Sequence, residues 1–213
     1  MGATAAERPR WTRRKDVRPS EITAAALEVF VERGFAATRL EDVAARAGVS
    51  KGTVYLYFAN KAELFKAVVR QALLPNLETA EALAESFPGS RRELLVQLVS
   101  GIARVVASSP VSGIPKLVIS EAGNFPEIAE FYHREVILRA RALLERILAE
   151  GVRRGEFRPL DPAYVWRLVM APLVLGMVWK HSFQAFDAEP LDFERYVRTH
   201  LEVLFNGIGR SAS

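Results

Sequence analysis

The segment from Gly48 to Gly52 reads Gly-Val-Ser-Lys-Gly, which has the spacing of the nucleophile elbow of serine hydrolases. That motif needs a sharp turn from a strand into a helix, with an Asp and a His supplied by later strands. Here a helical pattern precedes Ser50, and no stretch of the chain shows convincing strand alternation. We therefore exclude hydrolase chemistry and interpret Ser50 as the cap of the following helix.

Metal, thiol and nucleotide chemistry find no better support. The chain has no Cys, which excludes disulfides, thiolate catalysis and cysteine-ligated metals. The three histidines, His133, His181 and His200, are too far apart for a local metal motif, and no phosphate-binding glycine pattern is present. We predict that the protein is not an enzyme and has no cofactor, and we expect it in a reducing compartment, the cytoplasm.

Positive charge is concentrated in the first third of the 213 residues. Residues 1–70 contain 13 Lys and Arg against 8 Asp and Glu, whereas residues 71–213 contain 16 against 17. Much of the excess lies in residues 1–18, which we predict to be a flexible basic arm. Such an arm is either a solvated tail or a segment that contacts phosphate groups.

The longest uncharged apolar run extends from Leu168 to Trp179 and contains Pro172. A helix that crosses a bilayer needs about 20 apolar residues, and this run is shorter. The sequence therefore predicts no membrane span and no membrane partner.

Helical periodicity dominates the chain after residue 19, which predicts an all-α fold. Expected helix starts carry a small polar residue with Glu three positions later, or an Asp before Pro, at Thr38/Glu41, Asn60/Glu63, Ser90/Glu93, Asn124/Glu127 and Asp161-Pro162. About nine helices follow, at residues 20–33, 40–47, 51–58, 61–87 with a bend at Pro75, 91–108, 114–122, 126–153, 162–183 and 192–207. We divide the chain into the arm (1–18), a domain of short helices (19–70) and a larger apolar domain (71–213).

The segment from Thr38 to Lys61 predicts two short helices joined by a tight turn. The first helix ends at Gly48, which can adopt the left-handed conformation, and Val49 fills the space beneath the turn. A turn of this length sets two helices at a large angle, as in a helix-turn-helix. The second helix would hold to the body through Val54 and Phe58, with an outer face of Lys51, Gly52, Thr53, Tyr55 and Tyr57.

That outer face suits the major groove of DNA. Lys51 can donate to guanine acceptors, Thr53 can bond to a base or a phosphate, and Gly52 allows close approach of the backbone. Tyr55, Tyr57 and Lys61 suit phosphate oxygens, which fix the register of the protein on the duplex. Periodicity alone leaves a second interpretation open, in which the segment is a surface helical hairpin whose tyrosines pack at the rim of the core.

The same segment resembles the DNA-binding domain of the TetR family of transcriptional regulators. The matching sequence is ITAAALEVFVERGFAATRLEDVAARAGVSKGTVYLYFANKAELF, with its GF pair, the AGVS turn, YxYF and NKxxLF. The resemblance implies a three-helix DNA-binding domain at residues 19–70 and an effector-binding and dimerisation domain at residues 71–213. The stretch ISEAGNFPEIAEFYHREV is similar to the AefR-like branch.

The resemblance also implies DNA contacts just before the first helix of the turn. Many relatives have a hydroxyl residue after Thr38, where this chain has Arg39, so a charged phosphate contact would replace a neutral one. The predicted DNA-contact set is Thr38, Arg39, Ser50, Lys51, Gly52, Thr53, Tyr55, Tyr57 and Lys61.

The helix at 162–183 is apolar on two faces, which a small single domain seldom buries. We predict that this helix and the last helix pair with their symmetry mates in a four-helix dimer interface. The alternative places both helices in the core of one monomer. The predicted interface residues are Val165, Leu168, Gly176, Trp179, Phe183, Val197, Leu201 and Leu204.

Aromatic and methionine side chains of the larger domain predict a pocket for a small apolar or aromatic effector. The predicted lining residues are Leu77, Ile102, Val105, Glu121, Asn124, Phe131, His133, Trp166, Met170 and Met177. Taken singly, each apolar member is also consistent with ordinary core packing.

These features together predict a homodimeric repressor that binds a palindromic double-stranded DNA operator and is released by a small-molecule effector. The alternative is a helical small-molecule or protein-binding module that does not bind DNA. Such a module would keep the apolar domain but would not need the exposed side chains between residues 51 and 61.

Overall fold

The computed structural model of the protein describes residues 19–208, so the predicted basic arm, residues 1–18, lies outside the described part. Within that part the chain is all-α, as predicted, and contains no β-strand. The helices are α1 (Pro19–Ala37), α2 (Leu40–Arg46), α3 (Lys51–Tyr57), α4 (Lys61–Ala72), α5 (Leu74–Ser86), α6 (Arg91–Ser108), α7 (Gly113–Glu121), α8 (Pro126–Tyr132), α9 (Leu138–Arg153), α10 (Pro162–Ser182) and α11 (Phe193–Ile208).

These eleven helices, counted over residues 19–208, form nine continuous segments. Only Leu73 separates α4 from α5, and a π-helical turn, His133–Ile137, joins α8 to α9. The predicted number of helices is therefore confirmed, and the predicted bend near Pro75 is the break between α4 and α5.

Side-chain caps begin several of the helices where the sequence predicts them. Ser90 and Glu93 cap each other reciprocally at α6, with hydrogen bonds of 3.1 and 2.9 Å. Asn60 accepts a hydrogen bond from the Glu63 backbone at 2.9 Å, and Asp161 caps α10. The predictions at Thr38 and Asn124 are wrong, because α2 begins after Arg39 and α8 begins after Phe125.

An aromatic cluster forms the centre of the first domain. The rings of Phe30, Phe35 and Phe65 have centroids 5.6 to 5.7 Å apart. Gly34 has φ +81°, a conformation that a side chain would strain, and this interruption of α1 turns Phe35 back into the core. The GF pair is therefore the device that joins α1 to the aromatic cluster.

The turn between α2 and α3 has the predicted geometry. Gly48 has φ +69°, and the Val49 backbone donates a hydrogen bond of 2.9 Å to the carbonyl of Ala44. Val49 packs on the first core, and Val54 of α3 is completely buried. The orientation of α3 is thus set by core contacts at both the turn and the helix itself.

The hydrophobic cores do not follow the order of the chain. The first core contains residues of α1 to α4 together with residues of α7 and α8, whereas the second contains residues of α5, α6 and α9 to α11. The α1 and α7 helices approach so closely that a Cβ on Gly113 would lie 2.8 Å from the methyl carbons of Val31. The domain limit at residue 70 stays a prediction, but α7 and α8 share one core with the short helices.

Among residues 19–208, α10 is the single helix that is by itself long and apolar enough to cross a membrane, judged by length and composition. The prediction that this segment is too short to cross a membrane is wrong, because α10 has 21 residues and extends beyond the run from Leu168 to Trp179. In the structure, α10 packs on α7, α9 and α11 along one side.

The contact of α10 with α11 yields a stability prediction. A Cβ on Gly176 would overlap the ring of Phe193, so Gly176→Ala should force α11 away from α10. Overpacking of this kind costs roughly 1–3 kcal/mol, which corresponds to a melting temperature lower by about 2–12 °C for a chain of this size. The measurement is thermal unfolding followed by circular dichroism.

The matched control is Gly207→Ala, since nothing lies within 4 Å of the Cβ position at Gly207. This control should melt at or slightly above the wild-type temperature. Equal melting temperatures for both variants would contradict the tight crossing of α10 and α11.

Candidate nucleic-acid interface

The α3 helix exposes all of its side chains except the buried Val54 and the half-buried Thr53. Leu56, Tyr55 and Tyr57 are 77%, 47% and 45% exposed. The Cβ position of Gly52 has only the Ser50 hydroxyl, at 3.8 Å, within contact range. A rigidly held helix with such an unobstructed outer face has the shape to enter the major groove.

Lys51, the predicted base-reading lysine, is paired with a carboxylate. Its Nζ contacts Oε1 of Glu41 in α2 and lies 5.6 Å from the ring centroid of Tyr55. The hydrogen bond to Glu41 raises the pKa of Lys51 above its ordinary value, and the same bond lowers the pKa of Glu41. Both side chains are about half exposed, so solvent screens the pair and a DNA acceptor can replace Glu41.

Ser50 and Thr53 bond to one another at the start of α3. The Ser50 Oγ accepts a hydrogen bond of 3.2 Å from the Thr53 backbone, and the two hydroxyl oxygens are 2.9 Å apart. The predicted role of Ser50 as a cap is confirmed. To contact DNA, either hydroxyl would have to exchange its present partner.

Thr38 does not reach the surface, in contrast to its predicted role as a DNA contact. The residue is buried, and its hydroxyl donates a 2.6 Å hydrogen bond to the carbonyl of Gly34. This bond satisfies a carbonyl that the break in α1 would leave without a partner. Thr38 therefore holds the end of α1, and its neighbour Arg39 is the exposed residue of the pair.

Lys61 also points inward. Its ammonium donates to the backbone carbonyls of Phe35, Ala36 and Thr38 at 2.6, 2.9 and 3.0 Å, and lies 4.7 Å from the Phe35 ring centroid. Partial burial lowers the pKa of Lys61, and the negative charge of Glu121 opposes that shift. The ammonium thus closes the C-terminal end of α1, where a positive charge meets free carbonyls, and it is not free for phosphate.

Most of the remaining positive charge in residues 19–70 is neutralised locally. Arg46 pairs with Glu28 and Glu32 at 2.8 and 2.7 Å, and Arg33 pairs with Asp42 at 2.9 Å. Residues 19–70 as a whole contain 7 Lys and Arg against 6 Asp and Glu. The basic excess of the first third therefore lies almost entirely in residues 1–18. The positive charge that favours phosphate contacts therefore lies mostly in residues 1–18 and hardly at all in residues 19–70.

Glu121 is a functional candidate of a different kind from the one predicted. Its Oε1 accepts a 3.0 Å hydrogen bond from the backbone of Ala36, so it reaches from the end of α7 to the end of α1. The neighbouring Phe125 ring packs against Phe35 with centroids 4.7 Å apart. Glu121 is thus part of the contact between α7 and the end of α1.

The other predicted pocket residues do not converge on one space. Val105 and Phe131 adjoin the first core, whereas Leu77, Ile102, Trp166, Met170 and Met177 adjoin the second. Asn124 and His133 are exposed. Cavities of about 500 and 250 Å³ open at the outer face of α6 and between α10 and the start of α11, and no predicted lining residue borders either.

The predicted dimer residues separate into two groups. Gly176, Val197, Leu201 and Leu204 are buried within the protomer, and Val165 packs against its second core, because they form the contacts of α10 and α11 with that core. Leu168, Trp179 and Phe183 are exposed, as expected for an interface. The dimer interface stays a prediction, and apolar spacing could not distinguish the face of each helix turned to the core from the face turned outward.

Sequence reasoning missed three exposed residues, one on α3 and two on α10. Leu56 was left without a role, although its position 200° around the helix from Val54 places it opposite the buried face. Tyr164 and Leu175 complete the exposed apolar stripe of α10 and follow the same three- and four-residue spacing as Leu168 and Trp179.

The structural role of Lys61 can be tested by Lys61→Met, which keeps the apolar stem and removes the ammonium. Loss of the three hydrogen bonds to carbonyls should cost about 2 kcal/mol, which corresponds to roughly 4–8 °C in melting temperature. Lys51→Met is the control, because a half-exposed ion pair contributes about 0–1 kcal/mol. A Lys61→Met protein that melts like the wild type but binds DNA weakly would instead make Lys61 a phosphate contact.

Comparison with known proteins agrees with this architecture. Residues 22–68 match the family described as bacterial regulatory proteins, tetR family, and residues 88–192 match the Tetracyclin repressor-like C-terminal domain. The likeness to the AefR-like branch is not tested by these matches and stays a prediction.

Two curated relatives match most of the chain. An HTH-type transcriptional regulator of Bacillus subtilis, YfiR, is 31% identical over 70% of this chain and 72% of its own. The regulator TtgR of Pseudomonas putida is 29% identical over 87% of this chain and 90% of its own.

Among solved structures, Bacillus subtilis FadR in complex with stearoyl-CoA has a TM-score of 0.76 at 23% identity and covers 90% of this chain and all of its own. At that identity the likeness shows the fold alone. The resemblance read from the sequence is confirmed: the chain belongs to the TetR family of transcriptional regulators and is a helix-turn-helix regulator rather than an enzyme.

Proposed function

We propose that this regulator is a homodimeric repressor that binds a palindromic DNA operator through α3 and leaves it when a small apolar or aromatic effector binds. The observation that carries the proposal is the outer face of α3, which is exposed along its length while Val54 holds the helix on a close-packed core. Exposed tyrosines and a lysine on a rigid helix match the chemistry of base edges and phosphates.

A second copy of the chain is the partner we propose for α10. Its outer stripe of Tyr164, Leu168, Leu175, Trp179 and Phe183 is exposed, and Leu168 and Leu175 are 61% and 59% accessible. A contiguous apolar stripe of this length is rare on a soluble monomer and marks an interaction surface. A twofold axis at α10 would bury the stripe against its own copy, since an isologous interface uses the same patch twice.

Dimerisation would give the DNA-binding face its reading geometry. Two α3 helices about 34 Å apart would enter successive major grooves on one side of the duplex, so the operator would be palindromic. If each subunit neutralises about 4 to 5 phosphates, the logarithm of the affinity should fall with the logarithm of salt concentration with a slope of about −7 to −9. Because Lys51, Arg46 and Arg33 are paired with carboxylates, residues 1–18 would supply much of this charge.

The effector proposal rests on the second core. The indole Nε1 of Trp166 is buried and has no hydrogen-bond partner among the described residues. An unpaired buried donor costs about 1–3 kcal/mol, and an oxygen of a bound effector would satisfy it. The stearoyl-CoA bound to the FadR neighbour supports an effector with a long apolar part.

The contact between the domains offers a route by which an effector would change α3. The α7 and α8 helices pack on α1 and α4 in the first core, and Glu121 is bonded to the end of α1. A shift of α7 would move α1 and α4 as a unit, and α3 with them. An effector that prefers the shifted arrangement by several kcal/mol would empty the operator.

The rival function, a helical module that does not bind DNA, explains the apolar face of α10 equally well. It does not explain why Leu56, Tyr55 and Tyr57 are exposed on a helix that is otherwise fixed by the core. We therefore retain the DNA-binding proposal.

The decisive experiment is selection of bound fragments from the source genome by the full chain, followed by affinity measurement with labelled DNA. We expect one palindromic sequence to be enriched, and Lys51→Ala combined with Tyr55→Ala should weaken binding at least tenfold. Both positions are exposed, so the double variant should melt near the wild-type temperature. Recovery of no preferred sequence would contradict the proposal.

The ion pair between Lys51 and Glu41 provides a second variant, which is expected to raise operator affinity instead of lowering it. Glu41→Gln removes the competing carboxylate and a negative charge from the DNA-facing surface, so it should increase operator affinity severalfold at low salt. The gain should shrink as salt is added. An unchanged or lower affinity would show that Lys51 does not exchange Glu41 for DNA.

The dimer proposal predicts that Leu168→Asp together with Leu175→Asp converts the protein to a monomer at micromolar concentration. Four charges would otherwise be buried in an apolar twofold interface, which is unfavourable unless they are paired. Sedimentation velocity gives the mass of the particle. The control is Leu56→Asp, a still more exposed leucine on α3, which should remain a dimer.

A wild-type protein that sediments as a monomer would overturn the dimer proposal. It would then leave the α10 stripe as a surface for another partner or for a membrane.

A further inference from the structure

Leu56 is the most exposed of the large apolar residues on the helix-turn-helix, with 77% of its surface accessible. It lies on α3 diametrically across from Val54, which is completely buried. Among residues 51–57, positions 52 and 56 are each about 160° from Val54 around the helix, so they lie on its outermost line, where Leu56 carries the side chain.

Gly52 leaves bare backbone on the outer line of α3, about one turn before Leu56. The Cβ position of Gly52 has no neighbour closer than the Ser50 hydroxyl at 3.8 Å. The outer line of α3 therefore presents the isobutyl group of Leu56, which is 77% exposed, and bare backbone at Gly52.

Lys51 and Thr53, two polar neighbours of Leu56 on α3, have partners within the protein, whereas Leu56 is exposed. Lys51 is paired with Glu41, and Thr53 is bonded to Ser50. Tyr55 and Tyr57 lie on either side of the helix, about 100° from the leucine. The outermost side chain that would enter a DNA groove is thus the apolar Leu56, and it has no hydrogen bond to break before it contacts DNA.

The major groove contains one apolar feature that differs between bases, the C5-methyl group of thymine. We infer that Leu56 is a specificity-determining residue that selects a thymine in each half-site by contact with this methyl group. The inference rests on the proposed function, because it requires α3 to lie in the major groove.

The test uses the full-length protein and the operator that it selects from genomic fragments. Each thymine of the operator is replaced in turn by deoxyuridine, symmetrically in both half-sites, which removes only the methyl group. One position should lower the affinity about fourfold per half-site, or about fifteenfold for the symmetric pair, as expected for burial of one methyl group. The other replacements should change the affinity less than twofold.

The Leu56→Ala variant assigns the sensitivity to this residue. It should bind the unmodified operator more weakly and should respond less than twofold to deoxyuridine at the sensitive position. The control is Ile119→Ala, a truncation of another exposed aliphatic residue on α7, which should keep the wild-type response. Equal melting temperatures of the two variants would show that both are folded.

The outcomes separate the inference from the function beneath it. If the wild type selects an operator but no deoxyuridine position matters, or if the sensitivity persists in Leu56→Ala, the role of Leu56 is overturned and DNA binding stands. If the wild type selects no operator, the proposed function fails and this inference fails with it.

Discussion

The packing of Phe35 is the contact on which the rest of this structure depends. Its ring contacts Phe30 of α1, Phe65 of α4 and Phe125 of the segment between α7 and α8. Aromatic pairs of this kind contribute about 0.5–1.5 kcal/mol each beyond their buried area. Because the four rings come from three separate parts of the chain, their packing joins the helix-turn-helix to the larger domain.

The polar groups around this ring serve the same junction. Lys61 donates hydrogen bonds to three backbone carbonyls at and just after the end of α1, and Thr38 donates to a fourth. Glu121 accepts a hydrogen bond from the backbone of Ala36. Each is a residue that a reader of the sequence would assign to DNA or to an effector. Their inward bonds exist because Gly34 breaks α1 and leaves backbone groups that need partners.

Exposed apolar side chains are distributed differently on two helices of the protein, α3 and α10. On α3 a single exposed leucine stands among polar residues, which suits the major groove of DNA with its few methyl groups. On α10 the apolar residues form a continuous stripe, which suits a second helix of the same kind. One chain would therefore recognise DNA and its own copy through different amounts of the same chemistry.

The sequence alone was sufficient for the all-α class, the nine helical segments, the family and the buried side of α3. These depend on local rules, namely caps such as Ser90 with Glu93, turn glycines such as Gly48, and the spacing that buries Val54. Such signals act within a few residues, so they can be read along the chain.

Only the tertiary structure decided which partner each apolar or polar side chain would meet. Periodicity placed Gly176, Val197, Leu201 and Leu204 on apolar faces, but the same spacing results from a core or a dimer interface. In the same way, nothing near Lys61 in sequence shows that the end of α1 lies beside it, because that contact joins residues 23 to 26 positions apart. The face of a helix is a local property, whereas the surface that covers it depends on how distant segments pack.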